Sequence, residues 1–103
     1  MIKHLVMWRV RGATEAEKTS AKRLVKTAFE SLNGKIPGML RLEIGLDTSG
    51  ADYACDVVLY SEFESQAALD AYAAHPAHLQ AKELVGDVRV ARYQVDYPVQ
   101  SIA

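Results

Sequence analysis

From Tyr72 to His78 the chain reads Tyr-Ala-Ala-His-Pro-Ala-His, which gathers a tyrosine and two of the three histidines within seven residues. A neutral imidazole, with its ordinary pKa of ~6.5, can take a proton from an activated carbon near neutral pH. A tyrosine hydroxyl can donate a hydrogen bond to the enolate or alkoxide that then develops. Tyr72 and His78 are therefore the candidate catalytic acid/base pair for an enolisation, aldol or lyase step that needs neither metal nor cofactor. The six positions between them, in an uninterrupted helix, would set them ~240° from facing one another. Pro76 cannot continue the hydrogen-bond ladder, so a break is expected near His75, and that break is what can return His78 toward Tyr72.

Three further residues are ligand-binding candidates: His4, Trp8 and His75. His4 alternates onto one strand face with Val6 and Trp8, and joins the same cavity if that face points toward the helices. Each candidate also has a purely structural reading. Tyr72 lies on the apolar side of its helix and could be a core tyrosine with a satisfied hydroxyl. His75 stands where it could cap the turn that follows. His4 could be a hydrogen-bonded core residue, His78 a pocket wall, and Trp8 packing. His75 and His78 resemble half of a metal site, but Pro76 spoils the helical spacing and no nearby cysteine or carboxylate cluster completes a tetrahedral set. No metal or cofactor is expected. Cys55 lacks an adjacent base and reads as a small buried hydrophobe. Gly34 and Gly38 read as turn residues.

The elements that must position these groups follow from periodicity. Ile2 to Arg11 is a strand whose two faces, Ile2-His4-Val6-Trp8-Val10 and Lys3-Leu5-Met7-Arg9-Arg11, both carry apolar bulk, which predicts a central strand covered at least in part on both sides. Thr14 and Glu17 predict a capping box, and Ala21, Leu24, Val25, Ala28, Phe29 and Leu32 recur at helical spacing with Lys18, Lys22, Arg23, Lys26 and Glu30 on a solvated face. Asn33-Gly34 ends that helix. Leu40, Leu42, Ile44 and Leu46 alternate as a second strand, and Tyr53 to Phe63 predicts a third, antiparallel to it. A helix capped at Glu64-Ser65, a short helix over Ala77 to Leu84, and a strand over Val88 to Tyr97 closed by Pro98 complete the chain. The order predicts an α+β, ferredoxin-like βαββαβ fold with a four-stranded antiparallel sheet and helices on one face. The other face would then be a large apolar patch, and a second copy packed there as a homodimer is the economical cover.

The 103 residues predict one domain, and the net charge of −1 offers no electrostatic reason to expect a nucleic-acid or acidic-membrane partner. A single cysteine excludes an intrachain disulfide. No run approaches the ~20 apolar residues of a membrane span, and no signal-like apolar stretch precedes the first charges, so the expected location is cytoplasmic.

Four stretches resemble the stress-responsive A/B barrel (Dabb) family of dimeric α+β barrel proteins: Ile2-Lys3-His4-Leu5-Val6, Ile36-Pro37-Gly38-Met39, Phe63-Glu64-Ser65, and the segment from Tyr72 to His78. The resemblance implies the fold and a homodimer whose two sheets face each other as a barrel. It does not imply one function. A plant relative, olivetolic acid cyclase, closes a linear polyketide by intramolecular aldol condensation, with a tyrosine and a histidine that match Tyr72 and His78 and a pocket histidine that matches His4. Its further strand histidine has no counterpart here, where the region reads Tyr53-Ala54-Cys55-Asp56. Some plant relatives in the family hold a magnesium ion on backbone carbonyls that would align near Asn33, Ile36 and Met39, a ligand set that leaves no side-chain signature in a sequence. The expected protein is thus a homodimer with a small-molecule pocket that works as a cyclase-like or lyase enzyme. The alternatives are a non-catalytic stress-responsive or ligand-binding protein, and a cofactor-free monooxygenase on a related fold.

Overall fold

The computed structural model describes residues 1–100 of the chain. Along it run β1 (Ile2–Val10), α1 (Glu15–Glu30), β2 (Met39–Leu46), β3 (Val57–Phe63), α2 (Gln66–Ala74), α3 (Pro76–Val85) and β4 (Arg89–Pro98). The strands form one antiparallel sheet in the order β2-β3-β1-β4, so β1 is central and the fold is the ferredoxin-like βαββαβ type with its second helix divided. No helix is long and apolar enough to cross a membrane among the described residues.

The period of two in β1 decides where the site can form. His4, Val6, Trp8 and Val10 are buried beneath the helices, packed with Val25 and Phe29 of α1, Tyr72 of α2 and Val85 of α3. Burial of each large apolar side chain contributes about 1.5–3 kcal/mol, which holds this face inward and with it the histidine at its end. The opposite face is covered by no part of the described chain at Met7, Tyr93, Val95 and Tyr97, each of which is exposed. Those residues are cross-strand neighbours, with Met7 opposite Tyr93, Leu5 opposite Val95 and Lys3 opposite Tyr97.

Caps set the helix positions. The Thr14 hydroxyl accepts the Glu17 N–H at 3.1 Å, and the Glu17 carboxylate accepts the Ala13 N–H at 2.9 Å, one residue before the position a capping box specifies. Ser65 caps α2 by accepting the Ala68 N–H at 3.1 Å. Gly38, at φ +79°, lets the chain turn into β2 against α2, where an added Cβ would stand 2.6 Å from that of Ala68.

Several sequence expectations are corrected. β3 begins at Val57, because residues 53–56 form a loop, and Cys55 within that loop is half-exposed. Leu40 is 54% exposed because the β2–β3 register slips between Met39 and Arg41, leaving Leu40 as the extra residue of a bulge. Leu24 lies outside the core, on the exposed side of α1. Lys26 and Glu30 are half-buried, since α1 uses them to satisfy the free edge of β2: the Lys26 ammonium donates to the Ile44 carbonyl at 2.9 Å, and the Glu30 carboxylate accepts the Ile44 N–H at 3.1 Å. Pro98 lies inside β4 rather than after it, a position an edge strand tolerates.

Candidate active site

The break at Pro76 brings the pair together. His75 adopts φ −66° and ψ 135°, the extended conformation favoured before proline, and serves both helices. Its N–H donates to the Tyr72 carbonyl at 3.1 Å, while its Nδ1 accepts the Ala77 N–H at 3.0 Å and so caps α3. With the chain redirected there, the Tyr72 and His78 rings stand 4.3 Å apart between centroids. Tyr72 also lies 5.1 Å from the Phe63 ring and 6.2 Å from that of His4.

These rings wall a cavity of about 570 Å³ between sheet and helices. Tyr72 and His78 line it with His4, and Trp8 stacks on Phe29 at 5.1 Å to form its apolar side. A hollow of about 260 Å³ shares His4, Tyr72 and His78 with it. Of the five residues expected from sequence, four therefore meet at one cavity. His75 does not line it; its ring nitrogen is taken by the cap.

The protonation states follow from the contacts. His78 Nδ1 lies 3.1 Å from the Ala73 carbonyl, which can only accept, so Nδ1 carries the proton and Nε2 is left as the basic atom. Burial holds the His78 pKa below its ordinary value, with Lys82, His4 and Arg89 acting in the same sense, while the bond to Ala73 opposes them. The ring is thus neutral at pH 7. Burial pushes the Tyr72 hydroxyl well above the usual phenol range, although Arg89 and Arg92 pull the other way. Tyr72 consequently remains protonated and can donate.

His4 is held by a residue that sequence reasoning passed over. Its Nδ1 donates to Asp96 Oδ1 at 2.5 Å, and the Gln94 amide donates to the second carboxylate oxygen at 3.0 Å. Buried Ser61 donates to the His4 carbonyl at 2.9 Å from the neighbouring strand. Asp96 thereby orients the His4 ring, with Nδ1 turned to the carboxylate and Nε2 away from it. Three cationic side chains, Lys82, Arg89 and Arg92, also line the cavity and were likewise missed. The available signal was the alternation of Arg92, Gln94 and Asp96, which reads as a solvent face until β1 is set beside it. Among the described residues no group of three or more histidine, cysteine or acidic side chains could hold a metal ion.

The fold and cavity define a ferredoxin-like α+β protein with histidine and tyrosine side chains converging on an aromatic-walled site. More particularly, the chain belongs to the stress responsive A/B barrel domain (Dabb) family, whose family model matches residues 2–99. It is similar to a dimeric protein of unknown function and ferredoxin-like fold from Bacteroides fragilis, at 30% identity over 95% of each chain with a TM-score of 0.84. A Dabb family protein from Mesorhizobium loti shares the fold at 23% identity over 97% of each chain, TM-score 0.72. The hydroxynitrile lyase of Passiflora edulis also shares it, at 17% identity over 99% of this chain and 95% of that one, TM-score 0.77. No curated protein sequence matches the chain.

Proposed function

We propose that the protein is a homodimer holding in each protomer a small-molecule pocket for cofactor-independent acid/base chemistry on a carbonyl compound. The observation that carries this reading is the 4.3 Å approach of the Tyr72 and His78 rings at the cavity, with His78 Nε2 the basic atom. In the step proposed, the C–H bond beside the substrate carbonyl breaks and its proton passes to His78 Nε2. The electron pair moves onto the carbonyl oxygen, where the Tyr72 hydroxyl donates a hydrogen bond to the enolate. The enolate can then attack a second carbonyl carbon, as a cyclase requires, or the reverse sequence can cleave the bond, as a lyase requires. His78 returns the proton to the alkoxide or the carbon that ends the step.

The dimer is supported by the exposed apolar stripe of Met7, Tyr93 and Val95 on the open sheet face, and by the dimeric relative from Bacteroides fragilis. That the Passiflora edulis neighbour is a hydroxynitrile lyase supports lyase chemistry as compatible with this frame.

Deuterium uptake tests the chemistry. The native protein, mixed with 4-phenylbutan-2-one in D2O at pH 7, is expected to accelerate exchange of the protons beside the carbonyl, read by proton NMR, with the acceleration lost in His78→Ala. A native protein that leaves the exchange rate at its buffer value, while the ketone shifts resonances of cavity residues, would make the pocket a binding site only.

A further inference from the structure

We infer that the cavity takes an organic carboxylate, its charged end held by Arg89 and Arg92 and its apolar body laid along Trp8 and Phe29. The inference rests on the cavity being the ligand site proposed above, and it names the substrate class.

It begins with a register. Arg89 and Arg92 are three positions apart, so a regular strand would point them to opposite faces. The β1–β4 pairing shifts between Arg9 and Val10, with Ala91 opposite Arg9 but Arg89 opposite Val10, so Val90 is the extra residue of a bulge. Val10 and Trp8 are both buried on the helix side, and Arg89 and Arg92 stand opposite them, so the bulge turns both guanidinium groups to the cavity face. Sending an apolar Val90 to solvent, 52% exposed, in order to bring a second arginine inward is the reverse of what core packing alone selects.

Nothing among the described residues answers the charge. Among the described residues neither arginine forms an ion pair, and the cavity lining holds Lys82, Arg89 and Arg92 but no aspartate or glutamate. The only carboxylate on the inner face of β4, that of Asp96, is engaged by His4 and Gln94. Arg89 Nε and Trp8 Nε1 are both buried donors with no acceptor among the described residues, and they belong to neighbouring groups, since the guanidinium sits 5.2 Å from the Trp8 ring and 5.5 Å from that of Phe29. Buried donors without acceptors are uncommon in folded proteins and mark a place where something else supplies the acceptor. Burial and the nearness of Arg92 both press on the Arg89 charge, a cost that a bound anion would remove. The planar fork of arginine matches a carboxylate two bonds at a time, and the stacked rings beside it suit an apolar body.

Calorimetric titration with 4-oxo-4-phenylbutanoate and with its neutral primary amide tests the assignment. The two share a ketone and a phenyl ring and differ only in charge. The acid is expected to bind the native protein about tenfold or more tightly than the amide, the order expected of a charge-assisted pair. Arg92→Gln, at an exposed position and expected to melt like the native protein, should weaken that preference severalfold while the amide keeps its affinity. Arg89→Lys should retain part of it. The single indole N–H resonance of Trp8 should move with either ligand. Equal affinity for acid and amide, or a preference undiminished in Arg92→Gln, overturns the carboxylate assignment and leaves the pocket standing. Binding of neither, with the Trp8 resonance unmoved, overturns the pocket and the carboxylate together.

Discussion

The Tyr72 and His78 rings lie 4.3 Å apart between centroids although they come from different helices, because the chain extends for the single residue His75 before Pro76 starts α3. In the step proposed, the two residues have separable roles. His78→Ala is expected to lower ketone proton exchange by about 10²–10⁴-fold, the range for a positioned general base. Tyr72→Phe should lower it by about 10²-fold, the lower end for loss of one donor to a developing oxyanion, and both variants should melt cooperatively. A Tyr72→Phe protein with native exchange rates would remove the hydroxyl from the chemistry.

The pH dependence has a definite sign. His78 has a folded-state pKa below the ordinary ~6.5, so between the two values the unfolded chain binds more protons than the folded one. Stability therefore rises with pH through that window, is fully present above ~6.5, and is lost as pH falls below it. Denaturant titrations from pH 7 to 5 should show native stability declining more steeply than that of His78→Asn. Proton exchange should fall over the same acid range as Nε2 takes up its proton. A His78 ring that titrates above ~6.5 by NMR would contradict both.

Asp96 acts on the site through His4, to which it bonds at 2.5 Å. In Asp96→Ala the Nδ1 proton loses its acceptor, and the His4 ring should populate both tautomers, visible in its ring nitrogen shifts. The cost in stability should be about 1.5–3 kcal/mol, that of a hydrogen bond to a charged group. Retention of one tautomer would show that Asp96 does not orient the ring.

Gly38 couples β2 to α2. Its φ of +79° disfavours any side chain, and an added Cβ would meet that of Ala68 at 2.6 Å. Gly38→Ala should destabilise the fold by about 1–3 kcal/mol in urea titration, the range for overpacking, whereas Gly34→Ala, at φ +81° with open space around it, should cost less.

The open sheet face is the proposed dimer interface. Val95→Glu puts a charge in the middle of the exposed stripe, between Tyr93 and Tyr97, and should shift the protein from dimer to monomer in sedimentation without loss of secondary structure. A variant that sediments as the native dimer would move the interface elsewhere.

Much of the architecture was legible because it is local. The capping residues Thr14 and Ser65, the core spacing of Val25, Ala28 and Phe29, and the alternation of His4, Val6 and Trp8 each follow from a few neighbouring residues and one period. Pro76 alone marked the break between α2 and α3, since a missing N–H acts at its own position whatever surrounds it. By itself, then, the sequence determined the order of elements, which residues of β1 share a face and the division of the helix that carries Tyr72 from the one that carries His78.

Only the tertiary structure decided the phase of β4. Its apolar residues Tyr93, Val95 and Tyr97 look like a core face, yet they lie opposite Met7, Leu5 and Lys3 on the open side of the sheet. Arg92, Gln94 and Asp96 look like a solvent face, and they do remain exposed, yet they lie opposite Trp8, Val6 and His4 on the side of the sheet that carries the helices and the cavity. A strand cannot state which of its faces is covered, because that depends on its partner's register and on where the helices pack, and one bulged residue reverses the pattern. The bulge at Val90 is such a reversal, and through it the fold set Arg89 beside Trp8 at the cavity.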